Sequence, residues 1–244
     1  MKQSFLFRGI LPAALLVSAA IFTSAQDVGN KQNSRPHEQT VVPPKTEPSA
    51  PGKKESVKYT YEFSQPAFIV KHIVIEHDET GRGTIKFERL NEDTPVTEPL
   101  ELSPAASARV FALWDALKFL ESDTNYQSDK HFAHLGVMKI GMERGDRRRT
   151  AEFDWTRNNS AAELVTEYRR AADQAIFVFD ITLARENQPL NAPKLMEALE
   201  SMMKRNAISD PQQLLPLLKD LTTDERIPLI ARNHAQRLIN KIQK

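Results

Sequence analysis

The chain has 244 residues, 33 Lys and Arg against 32 Asp and Glu, and a formal net charge of +1 at pH 7. That near balance excludes global attraction to nucleic acid or anionic lipid as an organising force. Apolar residues make up 40%, enough for a core, while the absence of cysteine excludes disulfides, a thiol nucleophile and lipid attachment at an N-terminal cysteine, so packing alone must stabilise the fold.

Lys2 and Arg8 precede an apolar stretch from Ile10 to Phe22, which Thr23-Ser24-Ala25 closes. A basic start, a short apolar centre and small residues at its end predict a secretory signal over residues 1–25, cut before Gln26. The alternative is a retained anchor, but the run from Gly9 to Ala25 lies at the lower limit of a membrane span and Arg8 blocks its extension. Without Lys2 and Arg8, 31 of the 33 basic residues face 32 acidic ones and the formal charge becomes −1. Residues 26–56 hold Pro36, Pro43, Pro44, Pro48 and Pro51 among polar side chains and no aromatic residue, which predicts a disordered linker. A cysteine-free exported chain fits a bacterial periplasmic or extracellular setting, with membrane contact only if the signal stays uncleaved.

From Val57 the pattern has period two. Tyr59, Tyr61 and Phe63 alternate with Lys58, Thr60 and Glu62, which predicts a strand with its aromatics on one face. A second strand is expected over Ile69 to His77, interior to the sheet because Ile73-Val74-Ile75 is apolar throughout. The stretch 78–83 is read as a turn, with Gly81 and Gly83 both able to take positive φ. Strands at Thr84 to Arg89 and Val96 to Leu102 follow. Ser103-Pro104 then starts a helix with Val110, Trp114 and Leu117 on one stripe, expected to lie across the sheet. A hairpin is predicted from Gly136 to Glu143 and Arg148 to Trp155, turning at 144–147, with Ala151, Phe153 and Trp155 on one side.

Ser160-x-x-Glu163 reads as a capping box opening a second long helix that reaches about Arg185. Ile176-Phe177-Val178-Phe179 has β propensity, so a strand over 176–183 is the alternative, although no Gly or Pro interrupts the chain before Pro189. Short helices are expected at Ala192 to Arg205, at Asp210 to Leu221 capped by Ser209, and at Asp224 to Ile242 opened by the box Thr222-x-x-Glu225.

In that last region Leu214-Leu215-Pro216-Leu217-Leu218, then Asp224, Arg232-x-x-Ala235 and Leu238, resembles one HEAT-type helix pair with a longer connection than that family uses. Such repeats need about three copies to stand alone, so the resemblance implies a helical hairpin docked on the main domain. The order of elements is also similar to that of secreted bacterial domains of unknown function, which implies no activity. The expected fold class is α+β: an antiparallel sheet of about six strands in the order ββββαββα with helices on one face, over 57–190, plus a C-terminal bundle of short helices over 191–244.

Chemical signatures are sparse. His131 and His134 are three apart with Asp129 nearby, a spacing compatible with a metal on a helix, but no third ligand is fixed and no metal or cofactor is expected. His72 and His77, five apart on a strand, must face opposite sides. Glu76, Asp78 and Glu79 crowd a turn, where carboxylates usually solvate the loop. Arg144, Arg147, Arg148 and Arg149 form the densest positive run, a candidate dock for an acidic ligand or an envelope protein; the C-terminal helices are a second candidate interaction surface. There is no nucleophile elbow or phosphate-cradling glycine loop. The expected function is non-catalytic binding in the bacterial cell envelope. The rival is a secreted hydrolase drawing its groups from Glu76 and Asp78, His131 or His134.

Overall fold

A computed structural model describes residues 56–244, so the expected signal and nearly all of the expected linker lie outside the described residues. Six strands form one antiparallel sheet: β1 (Val57–Ser64), β2 (Val70–Asp78), β3 (Arg82–Arg89), β4 (Val96–Glu101), β5 (Val137–Arg144) and β6 (Arg147–Phe153). Their spatial order is β4-β3-β2-β1-β5-β6, with every neighbouring pair antiparallel. The helix α1 (Pro104–Leu117) links β4 to β5, and α2 (Asn159–Asn187), α3 (Ala192–Lys204), α4 (Leu215–Thr223) and α5 (Leu229–Ile242) follow the sheet. The fold class is therefore α+β with a C-terminal helical region.

The period-two pattern of β1 puts Tyr59, Tyr61 and Phe63 in the core beneath the helices. Tyr59 packs on Phe111 and Trp114 of α1, and Tyr61 stacks on Tyr168 of α2 with ring centres 5.1 Å apart. The opposite sheet face is polar. On it His72 bridges Glu62 (3.0 Å) and Glu88 (3.3 Å), and Lys58 pairs with Glu76 (2.9 Å). His72 and His77 thus lie on opposite faces, and β2 is interior, between β1 and β3.

Several local expectations are corrected by competing partners. Gly81 has φ +80°, but Gly83 belongs to β3, where a Cβ would come within 1.8 Å of the Glu76 carbonyl; it serves close approach, not the turn. The turn is instead organised by Asp78, whose Oδ1 accepts from Thr80 N (2.7 Å), Thr80 Oγ1 (2.6 Å) and Arg82 N (3.2 Å). β6 ends at Phe153, so Trp155 leaves the sheet, is 43% exposed and packs edge-on against Phe132.

Helix starts move for the same kind of reason. Asn158 caps α2 by accepting from Ala161 N at 2.9 Å, displacing the expected Ser160 box. Asp210 caps a 3-10 turn over Pro211–Leu214, in place of Ser209, and α4 begins only after that turn. The expected helix at Asp224 begins at Leu229, because Asp224 is taken by Arg185 (2.9 Å) and Arg226 (2.7 Å) and Pro228 stands at the new start. Residues 176–183 are helical, inside α2.

Two apolar cores are built, and α2 belongs to both. Its first half, with Leu164, Tyr168 and Ala172, covers the sheet; its second half, with Phe177 and Ile181, packs with Met196, Leu199, Leu218 and Leu238 of the later helices. Polar clamps reinforce the junction. Buried Glu167 receives Arg109 (3.0 Å) and Arg170 (2.7 Å), which in turn donate to the carbonyls of Ser209 (2.8 Å) and Asn206 (2.7 Å). Gln174 Oε1 accepts from Asp210 N at 2.8 Å. No helix among the described residues is long and apolar enough to cross a membrane.

Truncation after Leu190 would strip cover from Phe177 and Ile181, now 3% and 0% exposed. Each such side chain is worth about 1.5–3 kcal/mol on burial. Urea unfolding of the truncated chain is expected to show a loss of at least about 3 kcal/mol, a large part of the ~5–15 kcal/mol typical of a domain. Unchanged stability would show that the sheet core stands without the later helices.

Candidate ligand-binding cleft

β1 ends at Ser64, and the chain crosses to β2 through the apolar stretch 66–70. Gln65 shapes this crossing: its carbonyl accepts from Phe68 N (3.0 Å), its N–H donates to the Lys71 carbonyl (2.8 Å), and its side-chain amide donates to the Ala133 carbonyl (2.8 Å). Beside it the β2–β3 register shifts between Val70 and His72, a bulge that bends the strand as pairing begins. Phe68 and Ile69 are left 43% and 80% exposed.

Between this crossing and α2 lies a cleft of about 780 Å³. Its floor is apolar, from Tyr61, Phe63, Ile73 and Ala172, and Phe68 and Ile69 form one wall. Arg169 and Asp173, four apart on α2 and so on one helix face, form the other with Arg205 beyond α3. The volume falls within the ~300–1,000 Å³ usual for small-molecule sites.

The polar groups here are under-used. The Tyr61 hydroxyl is buried and has no hydrogen-bond partner. Burial pushes its pKa up to about 12, against the charge of Arg169 and a loose approach of the Arg169 N–H groups to its oxygen that falls outside hydrogen-bond geometry. Arg169 lies 5.3 Å from the Phe63 ring centre and donates to Met138 Sδ at 3.3 Å. Neither Arg169 nor Arg205 forms an ion pair among the described residues. Partial desolvation raises the Asp173 carboxyl, although the residue is exposed, while Arg205 and Arg169 pull it down from beyond ion-pair distance.

The residues singled out by sequence lie elsewhere and apart. Asp78 is at one end of β1–β2, opposite Lys58, while the segment carrying His131 and His134 touches Gln65 at the other end. Six strand residues separate those ends, roughly 20 Å at ~3.3 Å per residue. Glu76 is on the polar face, paired with Lys58. His131 meets buried Asp154 at 3.3 Å. Burial pushes that carboxyl up, but Gln127 (2.7 Å), Phe132 N (3.0 Å) and His131 hold its pKa below the usual range, as a loop anchor. No group of three or more metal-ligating side chains occurs among the described residues.

The arginine run is divided by strand alternation. Arg149 turns inward over Phe119, 4.7 Å from its ring centre, and donates to the carbonyls of Phe119 (2.7 Å) and Thr124 (2.6 Å). Arg147 pairs with Glu121 at 3.1 Å, and Arg144 neighbours the Tyr59 hydroxyl. Arg148, opposite Glu143, faces the polar side. Tyr61, Phe63, Arg169 and Arg205 were not singled out for function by the sequence reading; the apolar run 66–70, where a polar turn is ordinary, was the available signal. Compared with known proteins, the chain matches no family model and no curated protein.

One buried polar cluster is structural. The Asp78 carbonyl can only accept, so it fixes the proton on His77 Nδ1 (2.8 Å). His77 Nε2 is then an acceptor for the Tyr168 hydroxyl (2.8 Å), whose oxygen accepts from Trp114 Nε1 (3.0 Å). Burial lowers the His77 pKa and raises that of Tyr168, so both stay neutral. The depressed histidine pKa means that the unfolded chain binds the extra proton. This stabilisation is complete above about pH 6.5 and declines as pH falls toward the folded value, by up to about 1.4 kcal/mol per pH unit. Urea unfolding between pH 7.5 and 5 should show that slope, and His77→Gln should reduce it; equal slopes in both proteins would remove His77 as the cause.

Proposed function

We propose that the chain is an exported, non-catalytic binding protein of the bacterial cell envelope, and that the cleft between the β1–β2 crossing and α2 is its ligand site. The observation that carries the reading is the Tyr61 hydroxyl, which among the described buried side-chain atoms without a hydrogen-bond partner (with Ser107 Oγ, Tyr126 hydroxyl and Arg232 Nε) is the one that lines this cleft, beside the exposed Phe68 and Ile69. An unsatisfied buried hydroxyl costs about 1–3 kcal/mol, and a native fold retains few of them without a reason. A ligand acceptor would satisfy the group. The separation of Asp78 from the His131 segment speaks against a shared acid–base centre for those groups.

Export rests on the grammar of residues 1–25, and the linker of residues 26–56 fits a domain held clear of a surface or released from one. Expressed in a bacterial host, the protein recovered outside the cytoplasm should begin at Gln26 by intact-mass spectrometry. A cytoplasmic product retaining Met1 would sink the export half of the reading.

Site occupancy has a separate test. Titration of the chain from Gln26 to Lys244 with Nile red, an uncharged environment-sensitive fluorophore, should give saturable, blue-shifted emission. Phe68→Glu with Ile69→Glu changes two exposed residues, so the fold should persist while affinity falls by at least about tenfold, as removal of two apolar anchors predicts. An absence of saturable binding, or affinity indifferent to those changes, would sink the ligand-site reading.

A further inference from the structure

The cleft presents charge as well as apolar surface. Arg169 and Arg205 bring two guanidiniums to its rim without an ion-pair partner among the described residues, and Asp173 offsets one of them. One uncompensated positive charge remains beside the apolar floor. Tyr61 adds a buried O–H that lacks an acceptor. All three groups line the one cleft, while Phe68 and Ile69 offer it exposed apolar surface. The arrangement separates a polar end from an apolar one.

Resting on the reading of this cleft as a ligand site, we propose that its ligand is a single-chain amphipathic carboxylate. The carboxylate is received by Arg169 and Arg205 and by the Tyr61 hydroxyl, and the chain lies on Phe63, Ile73, Phe68 and Ile69. The planar guanidinium matches a carboxylate through paired N–H bonds. A monoanion balances the one positive charge left after Asp173, whereas a dianionic phosphate overshoots it and meets the Asp173 carboxylate. A cationic amphiphile would face two guanidiniums. The volume of about 780 Å³ suits one small ligand.

The test displaces Nile red from the Gln26–Lys244 protein at pH 7.5 with dodecanoate, methyl dodecanoate, dodecyl phosphate and dodecyltrimethylammonium, each below its aggregation threshold. Dodecanoate is expected to compete at least about tenfold better than its methyl ester, since hydrogen bonds to a charged group are lost in the ester. Dodecyl phosphate and the ammonium should both be weaker than dodecanoate. Arg169→Gln with Arg205→Gln should bring dodecanoate down to the ester's level and leave the ester unchanged. Tyr61→Phe should weaken dodecanoate by roughly fivefold or more without lowering the thermal unfolding temperature, because only an unpaired hydroxyl is removed.

An ester as potent as the acid, a phosphate more potent than the acid, or arginine variants that bind dodecanoate normally would each overturn the proposal. In those cases retained Nile red binding leaves the site itself standing. Failure of Nile red to bind at all removes both.

Discussion

The packing of α2 against two different cores is the constraint on which the rest of the molecule depends. A helix of 29 residues is roughly 43 Å long at ~1.5 Å per residue, longer than a single small sheet needs for cover. Its first half is held over the sheet by stacking of Tyr168 on Tyr61 and by the chain of hydrogen bonds from Trp114 through Tyr168 to His77. Its second half enters the C-terminal core through Phe177 and Ile181. Glu167, near the changeover, recruits one arginine from α1 and one from α2 to hold the 206–209 backbone. The segment between α3 and α4 is therefore joined to α1 and α2 by ion-paired arginines as well as by apolar packing.

The cleft follows from this geometry. The stripe of α2 that carries Tyr168, Ala171 and Ala172 is buried, so Arg169 and Asp173 fall at its margin, on the rim of the cleft. On the sheet side, the bulge at Val70–His72 and the hydrogen bonds of Gln65 turn the crossing outward, which exposes Phe68 and Ile69 without breaking the alternation of β1. Neither margin is filled by the other. A cleft remains over these core side chains because the parts that frame it are fixed by separate interactions.

Sequence conveyed the fold well where one local pattern had no competitor. The alternation of β1, the opposed faces of His72 and His77, and the Ser103-Pro104 start all appear as read, with Ser103 accepting from Ala106 N at 3.1 Å. It misled where two residues competed for one role: Asn158 took the cap expected of Ser160, and Asp224 served Arg185 and Arg226 instead of opening a helix. The helix over 176–183 was ambiguous because its β-prone residues divide between two cores, Ile176 and Phe179 on the sheet core and Phe177 and Ile181 on one supplied by segments after residue 190. The cleft was less legible still. Tyr61 and Phe63 have the spacing of core residues, and core residues they are; only the fold brings Arg169 and Arg205 to their edge.

The arginines show why density along a chain is a weak guide to binding. Four crowd the β5–β6 turn, yet alternation sends neighbours to opposite faces, and Arg149 spends its donors on two backbone carbonyls and its planar face on Phe119. A guanidinium committed in that way has little left to offer a ligand. Arg169 and Arg205 are distant in sequence and line one cavity together with a buried hydroxyl that has no hydrogen-bond partner. Two guanidiniums without an ion pair and a buried hydroxyl without a hydrogen-bond partner, lining one cleft, mark a place for a ligand more narrowly than any run of like charges.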